Sequence, residues 1–460
     1  MPAKKRPLLE RMARARKLKR IRTERKVTKS RHEGIRVLRN ISAIRRFRQE
    51  AKGKAVTRLG FGKEENRAFE HVAGLMRKSG LSVRTDAFGN LYGRLEGKSS
   101  KVVMVGSHLD SVRRGGAFDG VYGVTAALEA LNNIKATGNP AHPIDLVVWR
   151  CEESARFNKA MLGSNAALGK LTAEDLIRTD ANGVTLRKAL EQNGLTYKPG
   201  QQLINPQNVL LYIEPHVEQG DILARAKRKR IGIVTRIAGP ERYELTFKSH
   251  SAHSGATPMG RRHRKDANVA ASKATVKTRN LALRANHISR ILGPTVSQAV
   301  HKGPIVGTVT QMRTVQGSLN TIPGMVRTTL DVRALSTHQR GKLAKRIITG
   351  VRKAALKEGV SLDVKELSRS PPVSMSAKNV TLLERVCREN GIVHRKMPSG
   401  AGHDASNLQK AGIPSAMFFV PSEGGFAHNP HERTHIKDLG AGVVLLTKFL
   451  HGVAKVSPVN

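Results

Sequence analysis

The sequence predicts an α/β domain interrupted by an inserted α+β domain. Three observations predict it. Apolar runs long enough for strands buried on both faces, Val102–Val105 and Ile144–Trp149, flank a helical pattern over Gly120–Ile134. The pattern then changes: Ile231–Ile237 and Arg242–Lys248 alternate in the style of an antiparallel sheet with one face wet. Helix, strand and helix return over Leu382–Asn390, Ser415–Val420 and Gly440–Val453. The expected fold is therefore a mixed, largely parallel sheet flanked by helices. The expected units are a basic extension over 1–40, a first domain over 41–223 and 371–460, and an insertion over 224–370.

Each element has a local reason. Glu64–Ser79 carries Phe69, Val72, Leu75 and Met76 at helical spacing, and Gly80 ends it. Leu81–Thr85 and Leu91–Leu95 read as short strands around the turn Phe88-Gly-Asn90. Val209–Ile213 is a third buried strand, leading into His216-Val-Glu-Gln-Gly220. In the insertion, Arg242–Lys248, Gly307–Thr314 and Met325–Arg333 read as strands. Asp266–Leu281 and Arg340–Lys357 read as helices. No internal repeat is found.

At 460 residues the chain is long enough for two cores. No segment reaches the roughly 18 uninterrupted apolar residues of a membrane span. The charged N-terminus lacks the apolar stretch of a secretory signal. Two cysteines, Cys151 and Cys387, make no metal-type pair and no disulfide framework, which fits a reducing cytoplasm. The outlier is a net charge of +46. Residues 1–50 hold 19 Lys/Arg against 4 Glu, so about two thirds of the excess lies beyond them. Such a charge suits polyanions, but the basic arm has no interleaved aromatics to stack on bases and no zinc-finger pattern. Association with nucleic acid or another polyanion through that arm is carried as a reading of a different class.

Chemistry concentrates in one stretch. Gly106-Ser-His-Leu-Asp110, Gly115-Gly-Ala-Phe-Asp119-Gly and Glu152-Glu153 put His108, Asp110, Asp119, Glu152 and Glu153 at strand ends and turns. In an α/β sheet, functional groups gather at the carboxyl ends of strands. Imidazoles and carboxylates with a spare carboxylate are what a hydrolase with paired metal ions needs: one carboxylate bridges, another moves the proton of the activated water. Three later histidines stand out because each follows an apolar strand or a glycine-rich turn: His216, His403 in Ser399-Gly-Ala-Gly-His-Asp404, and His428 in Gly424-Gly-Phe-Ala-His-Asn-Pro430.

With these and further stretches in order (Met161-Leu-Gly-Ser164, Ala252-His-Ser-Gly-Ala-Thr-Pro-Met259, Asn320-Thr-Ile-Pro-Gly324, Asp331-Val-Arg333), residues 55–455 resemble the hydantoinase/carbamoylase amidases. That group comprises N-carbamoyl-L-amino acid hydrolases, β-ureidopropionases and allantoate amidohydrolases, within the aminoacylase/carboxypeptidase metallohydrolase superfamily. The resemblance implies a catalytic domain with two divalent ions, Zn²⁺ or Mn²⁺, with Co²⁺ and Ni²⁺ equally suited to imidazole and carboxylate. It implies that Asp119 bridges them, that His108 and His216 complete one site, and that Glu153 and His428 complete the other. Glu152 is then the general base and Asp110 the residue orienting His108. Gln219, Asn320, Arg333 and His403 would hold the substrate. His253, in a dimerisation and lid domain, would stabilise the oxyanion in the partner subunit of a homodimer. The implied reaction is cleavage of the C–N bond of an N-carbamoyl (ureido) amino acid to amino acid, CO₂ and ammonia. Allantoate hydrolysis and aminoacylase or dipeptidase activity are the alternatives. Arg113-Arg114, where many relatives carry Pro-Asn, departs from the pattern and favours an anionic ligand.

Overall fold

The computed structural model describes residues 30–226, 231–291, 303 and 305–458. It divides into two compact units. One comprises the chain up to Thr235, Met375–Lys396 and the chain from His403; the other comprises Arg236–Ser374 and Met397–Gly402. Residues 224–235 thus fall in the first unit rather than in the insertion, and a short return, 397–402, falls in the second.

The first unit is built on a mixed sheet with helices packed against it, as the sequence predicts. Its four central strands are parallel, in the order Ile144–Trp149, Val102–His108, Val209–Val217, Ser415–Val420. Three of them are buried at every position, and the fourth, Val209–Val217, at all but one. This matches their unbroken apolar sequences, because a sheet covered on both faces has no wet side to alternate towards. Leu91–Leu95 and Ser82–Thr85 extend one edge antiparallel, and Ile231–Ile237 pairs antiparallel with Ser415–Val420 on the other. Val121–Lys135 packs on the parallel strands and against Ile436–Val453. Gly123 lets this first helix lie close, because a Cβ there would meet the Pro215 carbonyl and the Ser107 side chain.

The expected extension over 1–40 is only partly within view, since residues 1–29 lie outside the described residues. Residues 30–44 form a helix. Val37, Ile41 and Ile44 are fully buried, so residues 30–40 belong to the packed unit and not to a free arm. The Arg58 guanidinium, fully buried, donates to the carbonyls of Ile44, Phe47 and Leu109, which fastens this helix's end to the chain just after His108. Between 155 and 208, three short helices (Leu162–Ala167, Ala173–Leu176, Leu186–Gln192) close over a small core of Phe61, Phe88, Phe157, Leu176, Leu190 and Tyr197. They are too short for their periodicity to register in sequence.

The second unit is a four-stranded antiparallel sheet in the order Val306–Gln316, Met325–Ala334, Gly239–Lys248, Ser361–Arg369. Helices Ala267–Ile291 and Thr337–Lys357 pack on it side by side. Ala270, Ala271 and Ala274 on one helix and Ile347, Val351 and Ala355 on the other meet Leu245, Phe247, Leu330 and Val332. A two-residue ladder, Ala252–His253 with Thr321–Ile322, lies apart from this sheet.

One buried ion pair sets the approach to the strand end at Glu152. Arg150 donates to Glu65 (2.5 Å), to Asn66 (2.7 Å) and to the Gly89 carbonyl (3.1 Å), and stacks 4.1 Å over Phe69. Glu65 also accepts from the amides of Phe61 and Cys151. Removing one partner of a buried pair strands the other charge. Glu65→Ala is expected to cost about 3–5 kcal/mol of stability in urea unfolding; a loss below about 1 kcal/mol, the range of exposed pairs, would refute this assignment.

Candidate metal centre

The parallel strands deliver their carboxyl ends to one locus in the first unit. Val102–His108 ends on His108, Val209–Val217 carries His216, and Ile144–Trp149 runs through Arg150 and Cys151 into Glu152-Glu153. Cys151 has φ +52°, a left-handed conformation uncommon outside glycine, and it turns the chain so that the next two amides point the same way. Both reach one carboxylate: Glu152 N–H donates to Asp110 Oδ1 and Glu153 N–H to Asp110 Oδ2, each at 2.9 Å. The Asp110 carbonyl (3.1 Å) and Oδ1 (3.4 Å) also face His108 Nδ1. Asp110 therefore faces His108 and clamps the Glu152-Glu153 backbone as well.

Asp119 sits at the centre with its two oxygens facing different groups. Oδ1 lies 3.2 Å from His216 Nε2 and 3.7 Å from His108 Nε2. Oδ2 lies 3.4 Å from His428 Nε2, which is itself 3.3 Å from Glu153 Oε1. The donor atoms of His108, Asp119 and His216 form one potential ion-holding group, and those of Asp119, Glu153 and His428 another. Gly120, at φ +66°, follows Asp119 because a Cβ there would fall 2.5 Å from the His108 ring.

The donor chemistry fits cations between these groups. His216 Nδ1 donates to the Val217 carbonyl (2.9 Å), while its Nε2 accepts from Gly120 N–H (3.3 Å). His108 Nδ1 is likewise taken up by Asp110. Both imidazoles thus turn an Nε2 lone pair towards a carboxylate oxygen, an arrangement that a cation satisfies. Asp119 Oδ1 and Glu153 Oε1 are buried, and no backbone amide or hydroxyl reaches either. The electrostatics agree. The Glu153 hydrogen bond and charge raise His428 to about 9 against the opposing effect of burial. Burial of His108 opposes its charge, but Asp110, Glu152 and Asp119 outweigh it and raise its pKa well above the usual value. Glu152 is pushed well above the carboxylate range, first by burial and further by Glu153, with His108 opposing.

Two expected substrate residues lie in this unit. Gln219 Nε2 donates to Asp119 Oδ2 (2.8 Å) and approaches His428 Nε2 (3.5 Å). His403 is buried with its ring 4.7 Å from that of His216, in a further potential ligand group with Glu214. The other two, Asn320 and Arg333, lie in the second unit with His253, the expected oxyanion residue. His253 is exposed, and its Nδ1 accepts from the amides of Gly255 and Ala256 (3.1 Å each). Asn320 is exposed and adjoins it in the small ladder, its carbonyl accepting from Ser254 N–H. Arg333 is forked on Asp331 (2.9 and 3.0 Å) and donates to the Gly400 carbonyl.

Sequence reasoning missed Glu432. Its buried carboxylate accepts from the amides of Phe118 and Asp119 (2.8 and 3.1 Å), and its side chain fills the space beside Gly116. Burial and the nearby Asp119 charge raise its pKa to about 8. It lies in an irregular loop with no periodicity, and only its place four residues after His428 could have pointed to it.

Comparison with known proteins agrees with this geometry. Residues 104–452 match peptidase family M20/M25/M40. The chain belongs to this family. Among curated M20 relatives it is 38% identical over 395 residues to the N-carbamoyl-L-amino acid amidohydrolase of Geobacillus stearothermophilus, covering 85% of this chain and 91% of that one. It is 32% identical to the allantoate amidohydrolase of Escherichia coli strain K12, covering 87% and 93%. A solved hydantoinase/carbamoylase family amidase from Burkholderia vietnamiensis superposes with a TM-score of 0.79 at 30% identity, over 93% of this chain and 98% of that one. As an M20 metallohydrolase, the protein uses divalent metal and acts on C–N bonds.

The Asp110 clamp generates a prediction. Asp110→Ala removes two hydrogen bonds to a charged acceptor, expected to cost about 2–4 kcal/mol in chemical denaturation. It should weaken metal affinity about 10–100-fold in competition with a chelator, the usual effect of losing a residue that orients ligands. Unchanged metal affinity would show that Asp110 does not position the ligands.

Proposed function

We propose that the chain hydrolyses N-carbamoyl-L-amino acids to amino acid, CO₂ and ammonia, using two divalent ions per subunit, Zn²⁺ or Mn²⁺. The observation that carries this reading is the splitting of Asp119 between two ligand groups, one oxygen towards His108 and His216 and the other towards His428 and Glu153. When bound, the ions supply Lewis-acid activation of water and of the scissile carbonyl. Glu152, held by Asp110 and with an elevated pKa, takes the proton of the attacking water and returns it to the departing nitrogen. His253 accepts two amides at Nδ1, which leaves its proton on Nε2 as the donor an oxyanion requires. Arg333 and Asn320 take the substrate carboxylate, Arg333 through the guanidinium now forked on Asp331. Gln219 and His403 hold the ureido end.

The inserted domain is proposed as the dimerisation and lid domain, with His253 serving the partner's site in a homodimer. Cys151 and Cys387 are both free and buried, which suits a reducing cytoplasm. None of the described helices is long and apolar enough to cross a membrane.

Three measurements test the proposal. Chelation should abolish turnover of an N-carbamoyl-L-amino acid, and Mn²⁺ or Zn²⁺ should restore it; turnover of allantoate alone would transfer the assignment to that substrate. Glu152→Gln should keep its metal and lose at least about 10²-fold in kcat, and retained turnover would remove Glu152 as the base. Mixing inactive Glu152→Gln and His253→Ala proteins should restore about a quarter of wild-type activity if subunits exchange and His253 acts across them; no recovery after exchange would exclude the shared site.

A further inference from the structure

Helix Thr337–Lys357 of the second unit buries Leu343, Ala344, Ile347, Val351 and Ala355 in the core. Its outward face carries Lys342, Lys345, Arg346, Arg352, Lys353 and Lys357, all exposed. Lys342, Lys345 and Arg346, then Arg352 and Lys353 two turns on, then Lys357 one turn further, share one face of the helix over about 22 Å. The helix holds no Asp or Glu, and none of the six cations has an ion pair among the described residues.

The chain's general basicity does not account for this. Helix Ala377–Glu389 is also exposed, yet its Arg385 and Arg388 face Glu389 and Glu384. Lys342 stands one turn from Lys345 and Arg346, and Lys353 one turn from Lys357, and each such like-charged pair opposes the helix. The surroundings add charge of the same sign. Lys277 lies against Gly350 and Lys265 against Gly359, and Arg262 is exposed in the adjoining loop. The nearby acid, Glu358, is buried and already engaged by Lys273 (2.5 Å) and Arg261 (3.6 Å). Arg236–Ser374 as a whole has 25 Lys/Arg against 7 Asp/Glu.

We propose that this face binds the phosphate backbone of double-stranded nucleic acid without reading its bases. A row of exposed cations spread along about 22 Å suits a repeating anion rather than a small one. Neither helix of the unit contains Phe, Tyr or Trp, so no platform exists for unstacked bases, and a duplex fits better than a single strand. A membrane-surface helix turns apolar residues outward; here the apolar face is core, and Leu356 is the one large apolar side chain exposed on this helix. The inference does not rest on the hydrolase reading.

The test uses the full chain and fluorescence anisotropy with labelled RNA and DNA duplexes of about 30 base pairs across a salt series. The variant carries Lys345→Glu, Arg346→Glu, Arg352→Glu and Lys353→Glu, none of them in the metal centre. Circular dichroism and carbamoyl-substrate turnover check its fold, and Lys/Arg→Gln at the same four positions replaces it if that fold is lost. The wild type should bind with log K falling linearly against log salt. The variant should bind at least tenfold more weakly at low salt, its slope reduced by about 3–4. A chain lacking residues 1–29 should retain the difference. Loss of wild-type-like binding to either duplex in the variant supports the proposal. It is overturned by no duplex binding, by equal binding in the variant, or by binding to phosphatidylserine vesicles with none to duplexes.

Discussion

The constraint on which the centre depends is the double acceptance at Asp110. One carboxylate takes consecutive amides from the chain leaving Ile144–Trp149, while the same residue faces the imidazole that ends Val102–His108. These two strands are parallel neighbours, with His108 opposite Trp149 in register. Parallel pairing brings the strand ends together but leaves the directions of the side chains open. Asp110 faces the His108 ring and holds the backbone from which the Glu152 and Glu153 side chains leave. Three residues of the candidate centre are thus tied together by a single side chain.

Holding this arrangement requires unfavourable backbone. Cys151 before Glu152 and His428 itself adopt left-handed conformations, at φ +52° and +55°, where a side chain is disfavoured. Such positions persist only when their surroundings over-determine them, and both are tied in. Cys151 N–H reaches Glu65 within the Arg150 ion pair, and His428 sits between Asp119 and Glu153. Strain therefore lies at or beside the charged groups of the centre, and the strained residues themselves make the contacts that hold them.

What the sequence made legible follows from the same geometry. The central strands are buried on both faces, so their apolar runs are continuous, and His108, Glu152, Glu153 and His216 could be read as what comes next. Asp119 and His428 were marked by glycine-rich turns. Glu432 was not legible, because its role depends on amides more than 300 positions earlier in the chain and no periodicity surrounds it. Val37, Ile41 and Ile44 have helical spacing, yet the density of Lys and Arg around them made 30–40 read as extension rather than packed helix. Gln219 reads in sequence as a substrate contact, and in the structure its amide also donates to Asp119.

The charge distribution can be argued further. The chain has 35 acidic residues against 81 basic ones, yet Asp110, Asp119, Glu152, Glu153, Glu214, Asp404 and Glu432 are all buried in the first unit. Buried carboxylates repel one another and lose hydration, which is why burial is the leading cause that raises Glu152, Glu214, Asp404 and Glu432. A basic exterior cannot relieve this, because solvent and salt screen exposed charges beyond about 10 Å. The compensation has to be local: the imidazoles of His108, His216 and His428 lie among these carboxylates, and the groups they form could hold cations. Positive side chains covering the surface and negative ones concentrated inside are then separate features, and the ligands proposed for them differ in sign: a repeating anion outside and divalent cations within.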